Sequence, residues 1–229
     1  MGIAYNSSIA TSGLIFCVDA GNPRCYPGSG TTCIDLSPNG FTGTLINGVG
    51  WSSQQGGYFT FDGSTQYINI PNSTILDPTQ SMTVMAWVYP TTIRDNMSIM
   101  GKGTTTSGSG GYDLRIDAPP SGSTSSVNLV KYFVIDQRVS YIFSANTWYH
   151  IAAVQGATTM TVYVNAANAG SITNSQAFQS STASFKIGSG IDNLTWFPGR
   201  ISQAMVYSQT LTAAEITQNF NATRGRYGI

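Results

Sequence analysis

Side chains able to carry acid–base or nucleophilic chemistry are scarce in this sequence. Among 229 residues there is one histidine, His150, and one glutamate, Glu215; the remaining acids are aspartates. Hydrolysis of a glycosidic bond needs two carboxyl groups flanking it. The candidate pair is Asp113 and Asp117, which share a face of the alternating run Tyr112-Asp-Leu-Arg-Ile-Asp117, since strand side chains repeat every second residue. Arg115 lies between them on that face, so a solvated charge ladder explains the three better than a catalytic pair. Glu215 stands three residues after Thr212, the spacing of a helix capping box. His150 lies in a strand-like run with Trp148 and Ala152 on its face, where a hydrogen-bonded core or half-buried histidine is expected, and the sequence supplies no group to orient it toward a nucleophile. No residue is assigned as catalytic, and the chain reads as a non-enzyme.

Binding chemistry is better represented. Tyr26, Trp51 and Trp196 are aromatics in stretches rich in Gly, Asn, Asp and Pro, and they are the candidates for stacking against a carbohydrate. Packing is the competing role, and the stronger one for Trp196 with its neighbour Phe197. Of the three cysteines, Cys17 lies in the apolar run Leu14–Val18 and reads as a small buried hydrophobe. Cys25 and Cys33 bracket the turn Pro27-Gly-Ser-Gly30. They bridge only if their Cβ atoms face each other, which the sequence leaves open.

Composition narrows the partners. Only 9% of residues are charged and the net charge is zero, so attraction to nucleic acid or to an anionic membrane is not expected. Met1–Thr11 has neither the basic nor the apolar segment of a secretory signal, and no apolar run is long enough to cross a bilayer. The expected site of synthesis is a reducing cytoplasm, where thiols stay free.

The elements that must position these residues are mostly strands. Tyr58–Asp62 and Gln66–Ile70 alternate and flank Gly63-Ser64, which predicts a hairpin or a tight bend. Met82–Tyr89 is apolar on both faces and belongs mid-sheet. Val127–Ile135 with Val139–Phe143, and Thr147–Val154 with Met160–Asn165, read as hairpins, and Phe185–Gly188 as a short strand. Gly101–Gly111 and Pro119–Ser126 read as mobile loops. Ile201–Tyr207 forms a buried strand, and Thr212 starts a short helix through Phe220.

Several of these stretches carry a resemblance. Asp19-Ala-Gly-Asn22, Tyr26–Thr32, Asp35-Leu-Ser37, Asn39-Gly40, Phe61–Ser64 with Tyr67-Ile68, the strand around Trp87, and Trp196–Ile216 resemble laminin-G-like (concanavalin A-like) jelly-roll domains of the kind found in bacteriophage virion proteins. Cys33 stands where the pattern has an aromatic, and Ala166 where it has glycine. The resemblance implies an all-β fold: a two-sheet antiparallel β-sandwich of jelly-roll type with one short C-terminal helix, residues 13–229, preceded by an arm or edge strand, residues 1–12. It also implies a virion structural protein, made in the host cytoplasm and placed on the phage particle. The first expectation is a capsid decoration or cement protein on the outside of the head, contacting capsid or other virion proteins and neighbouring copies of itself. Met1–Ser12 or Arg224–Ile229 would make the lattice contact. The alternative is a carbohydrate-binding host-recognition module of a tail or head fibre, with host-surface glycan as partner. A glycoside hydrolase is the weaker third reading. Such domains also bind calcium near a sheet rim, which makes Asp62, Asp192 and Asn193 the metal candidates. All three suit ordinary turns, and acids are few, so the expectation is no cofactor.

Overall fold

The strand Pro198–Tyr207 organises the structure, because three other strands share it. The computed structural model describes residues 8–77, 80–104, 110–118 and 124–229, apart from the side chain of Asp192. In chain order the strands are β1 Leu14–Asp19, β2 Thr32–Ile34, β3 Thr42–Ile46, β4 Gly50–Ser52, β5 Tyr58–Asp62, β6 Tyr67–Ile70, β7 Met82–Pro90 and β8 Met97–Gly103. They continue with β9 Gly111–Asp117, β10 Ser126–Lys131, β11 Ile135–Ser140, β12 Tyr149–Gln155, β13 Thr159–Val164, β14 Ala167–Thr173, β15 Phe185–Ile187 and β16 Pro198–Tyr207. One helix, α1, spans Ala213–Thr223.

The strands form two antiparallel sheets. The first has the order β14-β13-β12-β7-β16-β5-β4, with β1 added to β16; the second has the order β11-β10-β9-β8-β15-β6-β3-β2. This is the β-sandwich expected from the sequence. β7 lies between β12 and β16, mid-sheet, and both expected hairpins, β10–β11 and β12–β13, are present, though the first turns at residues 132–134 and not at 136–138, which lie within β11. β5 and β6 belong to different sheets, so Gly63–Gln66 is the tight bend and not a hairpin. The β13–β14 turn holds Asn165 at φ 51° and Ala166 at φ 64°. Alanine thus sits in the left-handed region that glycine fills without strain.

β1 and β5 pair with the same edge of β16, one after the other. Asp19 faces Gln203, and Ile201 faces Phe59. Ser202 marks the changeover: it is a bulge against β7, its carbonyl accepts the Ala20 N–H at 2.9 Å, and its hydroxyl donates to the Gly57 carbonyl. Gly57 adopts φ 96°, and a Cβ there would stand 2.4 Å from the Gly21 Cα, so only glycine fits where the two chain segments meet.

The core between the sheets is built from alternate residues, among them Phe16, Ile68, Val84, Ala86, Leu114, Ile151 and Phe185, all buried. α1 covers the outer face of the first sheet. Ile216 packs with Leu14, Met85, Met205 and Tyr207, and Phe220 with Trp87. Its start is the expected capping box: Thr212 Oγ1 accepts the Glu215 N–H at 3.3 Å and Glu215 Oε2 accepts the Thr212 N–H at 2.7 Å. Those bonds, from the Thr212 N–H first and its hydroxyl second, hold the Glu215 carboxyl below its ordinary range. Thr212→Ala is expected to lower stability by about 1 kcal/mol. Chemical denaturation checks this, and an unchanged midpoint would mean that packing alone holds the helix start.

Both chain ends described are tied to this helix face. Asn219 Oδ1 accepts the Ala10 N–H at 2.7 Å, Tyr207 donates to the Ala10 carbonyl at 2.9 Å, and Gln218 donates to the Ser8 carbonyl at 2.7 Å. Of the arm, residues 1–7 lie outside the described residues. In the segment Arg224–Ile229, expected to reach a lattice neighbour, Arg224, Gly225, Gly228 and Ile229 are exposed, while the two residues between them are anchored to the fold. Tyr227 is buried and stacks 4.1 Å from Trp87, and Arg226 pairs with Asp19 at 2.8 Å. Of the two expected mobile loops, 105–109 and 119–123 lie outside the described residues, while Gly101–Gly103, Gly111 and Ser126 are strand.

Candidate functional site

The charged face of β9 is not the solvated ladder that its alternation predicts. Asp113, Arg115 and Asp117 are 0%, 8% and 1% exposed. The loop between β15 and β16 crosses this face: Gly190 lies against Asp113 and Ser98, and Ile191 packs with Val130 and Tyr132. Asp113 accepts hydrogen bonds from Ser98 Oγ at 2.5 Å and Tyr132 Oη at 2.8 Å. Burial pushes its carboxyl up to about 6, against the opposing pull of Arg115, Ser98 and Tyr132. Asp117 is enclosed by Arg115 at 3.0 Å, Arg138 at 3.2 Å and Asn128 at 2.7 Å. Both carboxylates are buried and engaged by neighbouring side chains. His150 is likewise fully buried, against Trp87 and Phe220, but neither ring nitrogen has a hydrogen-bond partner among the described residues, so it is not the hydrogen-bonded histidine expected from the sequence.

The three aromatic candidates fall into two places. Tyr26 and Trp51 meet, with ring centroids 5.8 Å apart. Tyr26 is buried against Phe59 and donates its hydroxyl to the Gly30 carbonyl at 2.8 Å. Trp51 is half-buried and donates its indole N–H to the Ala20 carbonyl at 2.8 Å. Together with Pro23, Pro27, Ser53 and three glycines they line a cup of about 280 Å³ near the start of β5.

Trp196 lies elsewhere, at the far end of β5, in a cleft of about 370 Å³. Three loops build it. The β5–β6 bend gives Gly63 and Ser64, the β7–β8 connection gives Arg94, Asp95 and Asn96, and the β15–β16 connection gives Leu194 and Trp196. Arg94 ties the loops together by donating to the carbonyls of Gly63 and, at 3.5 Å, Trp196. Trp196 is half-buried, with Tyr67 edge-on 6.0 Å away, and Leu194 beside it is 68% exposed. Among the described residues, the Asp95 carboxylate has a single partner, Asn96 Nδ2 at 3.0 Å, and so keeps acceptor capacity toward the cleft. Asn96 is held at φ 56°. The cleft therefore joins an aromatic ring, an exposed aliphatic side chain and fixed polar groups of both hydrogen-bonding kinds. Phe197, by contrast, is wholly buried.

Sequence reasoning found Trp196 by residue type and missed Arg94, Asp95, Asn96, Ser64 and Leu194. The local signal was a polar run, Arg94-Asp95-Asn96, between two strands, which by itself says only loop. Of the metal candidates, Asp62 is held as a turn residue. Asp62 accepts the N–H groups of Ser64, Thr65 and Gln66 at 2.8–3.0 Å and the Thr65 hydroxyl at 2.6 Å. Partial burial would raise its pKa, but Thr65, Ser64 and Gln66 together hold it well below the carboxylate range. Asn193 Oδ1 accepts the Lys186 ammonium at 2.7 Å, so a cation already occupies that oxygen. The Asp192 side chain lies outside the described residues. Among the described residues no three His, Cys, Asp or Glu side chains gather in a set fit for a metal.

Cys17, Cys25 and Cys33 are free and buried. Cys25 and Cys33 lie side by side, and the Ile34 N–H donates to the Cys25 carbonyl at 2.8 Å.

Among solved structures, domain 4 of AbnA, a GH43 extracellular arabinanase from Geobacillus stearothermophilus in complex with arabinotriose, is similar over 92% of this chain and 99% of its own, with TM-score 0.70 and 19% identity. Botulinum neurotoxin type C, whose cell entry depends on interaction with two ganglioside molecules, is similar over 92% of this chain and 51% of its own, with TM-score 0.67 and 11% identity. The binding domain of Paraclostridial Mosquitocidal Protein 1 gives TM-score 0.66 and 17% identity over 92% and 52%. The chain thus spans the arabinanase domain nearly whole and about half of each toxin chain. A search of curated protein sequences gives no match. The sequence model of one superfamily matches residues 62–217, which include β6 to β16 and every loop of the Trp196 cleft. That match takes in well over half of the sequence, and the chain belongs to the concanavalin A-like lectin/glucanases superfamily.

Proposed function

We propose that this domain is a non-catalytic glycan-binding module and that the Trp196 cleft is its sugar site. The observation that carries this reading is the cleft itself, pre-set by the Arg94 bonds to two loops. A pyranose or furanose presents an apolar C–H face and a rim of hydroxyls. The ring of Trp196 and the side chain of Leu194 suit the face, and Asp95, Asn96 and Ser64 suit the rim. Arabinotriose in the arabinanase domain and gangliosides for the neurotoxin support the same chemistry. The non-catalytic part is supported by the covered, ion-paired state of Asp117 and the hydrogen-bonded burial of Asp113. Trp196→Ala is expected to weaken binding to a responding oligosaccharide by about 30-fold, equivalent to about 2 kcal/mol. Calorimetric titration after a glycan-array screen measures it, with circular dichroism to show an intact fold. Undiminished affinity in a folded Trp196→Ala protein would remove the cleft from the reading.

A phage particle is the proposed setting, supported by the resemblance of Leu14–Leu45 to virion domains and by the weakly charged surface. On a head, the module would decorate the capsid; on a fibre, it would meet host glycan. Antibody-gold labelling of purified virions separates the two, and unlabelled particles would discard the virion setting.

A further inference from the structure

The Tyr26–Trp51 cup differs in chemistry from the Trp196 cleft, and the difference specifies a ligand. Its lining includes four ring-bearing residues, Pro23, Tyr26, Pro27 and Trp51, together with Ala20 and three glycines. Three of the polar atoms around it are already engaged by other parts of the chain. The Trp51 indole N–H is held by the Ala20 carbonyl, the Tyr26 hydroxyl by the Gly30 carbonyl, and the Gly57 carbonyl by the Ser202 hydroxyl. Among the described residues no charged side chain lines the cup, and besides the engaged Tyr26 hydroxyl, Ser53 supplies its one side-chain hydroxyl. Trp51 is also fixed in place. Gly28, at φ 93°, lies so close to the indole that a Cβ there would stand 3.1 Å from its ring carbon Cζ3. The ring is therefore rigid, apolar on its open side, and reachable.

Such a cup penalises a face rich in hydroxyls, which would lose water and find no replacement partner. It rewards an apolar group of small volume beside a ring-sized body. We infer that the cup is a second, independent sugar site that selects a pyranose bearing a methyl group, an inference that rests on the glycan-binding reading above. The methyl enters between Pro23, Pro27 and Trp51, the sugar ring lies over the indole, and Ser53 meets one hydroxyl at the rim. The methyl arises from either of two sugar types, a 6-deoxyhexose or an N-acetylhexosamine. With Trp196 at the other end of β5, the module becomes bivalent.

The test is an NMR titration of the full chain, following the indole N–H signals of Trp51 and Trp196. The probes are L-rhamnose, L-fucose and N-acetyl-D-glucosamine, with D-glucose and D-galactose as methyl-free controls. Trp51 is expected to shift with at least one methyl-bearing sugar, about tenfold more tightly than with the controls. The shift persists in Trp196→Ala and is lost in Ser53→Trp, which fills the mouth of the cup from an exposed position. Response to the deoxy sugars or to the N-acetyl sugar identifies the source of the methyl. A silent Trp51 with a responding Trp196 overturns this inference alone. Equal response of Trp51 to the controls overturns the methyl selection, and silence of both indoles overturns the glycan reading together with it.

Discussion

At pH 4 the protein with leucine in place of His150 is expected to be more stable than the parent by about 3 kcal/mol. His150 is fully buried, its ring 5.2 Å from Trp87 and 5.8 Å from Phe220, and neither ring nitrogen has a partner among the described residues. Burial pushes the imidazole down to about 3. Its folded pKa therefore lies below its unfolded value near 6.5, so the unfolded chain binds a proton first as the solution is acidified. The stability this neutral ring permits is present above about pH 6.5 and is lost as pH falls toward 3. Leucine removes that loss and also removes two unsatisfied nitrogens, so at pH 7 the variant should match or slightly exceed the parent. Asp113 works in the opposite sense. Its pKa is raised to about 6, so its contribution is full below its unfolded value and is lost as pH rises through 6. The difference between variant and parent is what isolates His150. Urea titrations at pH 4 and pH 7 supply that difference, and one that is the same at both pH values would show that the buried ring does not govern acid sensitivity.

Lys102→Ala is expected to be the most damaging single change to a charged residue, at about 3–5 kcal/mol. The Lys102 ammonium has no exposed surface. It donates to the Ser73 carbonyl at 3.0 Å, to the Ser181 carbonyl at 2.8 Å and to the Asp77 carboxylate. Alanine leaves a carboxylate and two carbonyls facing a cavity. It also releases the two loops that close this end of the sandwich, one before β7 and one before β15. The double change Lys102→Met with Asp77→Leu should recover much of the loss, because replacing both partners by apolar groups removes the unpaired charge. Thermal unfolding of the three proteins decides it. A double variant as weak as Lys102→Ala would mean that the carbonyl bonds, and not the ion pair, hold the loops.

The fold was legible wherever one residue in two had to be apolar. β5, β7, β12 and β13 follow from alternation or continuous apolarity alone, and the Thr212–Glu215 spacing fixed the helix start within a residue. β8 escaped because Gly101 and Lys102 are poor strand formers. Gly101 is there because a Cβ would press to 2.7 Å from the Tyr112 carbonyl, and Lys102 because distant loops supply its partners. The charges of β9 were misread for a related reason. A local pattern registers Asp113 as polar, but not that Gly190 and Tyr132, from elsewhere in the chain, will cover it. The site followed the same rule. Tyr26, Trp51 and Trp196 could be picked by residue type, whereas the meeting of Arg94 with Trp196 depends on residues about a hundred positions apart.

The sharing of β16 by β7, β5 and β1 has a consequence for how the chain matures. During synthesis β1, β5 and β7 leave the ribosome long before their common partner exists, and residues 198–207 come near the end of the sequence given. Sheet one has no centre until then. The second sheet waits as well, since β6 and β8 are joined only through β15, residues 185–187. Nascent chains arrested before about residue 190 should thus remain unfolded, with the apolar faces of β5 and β7 open to chaperones. Completion should come in one late, slow step set by these long-range pairings.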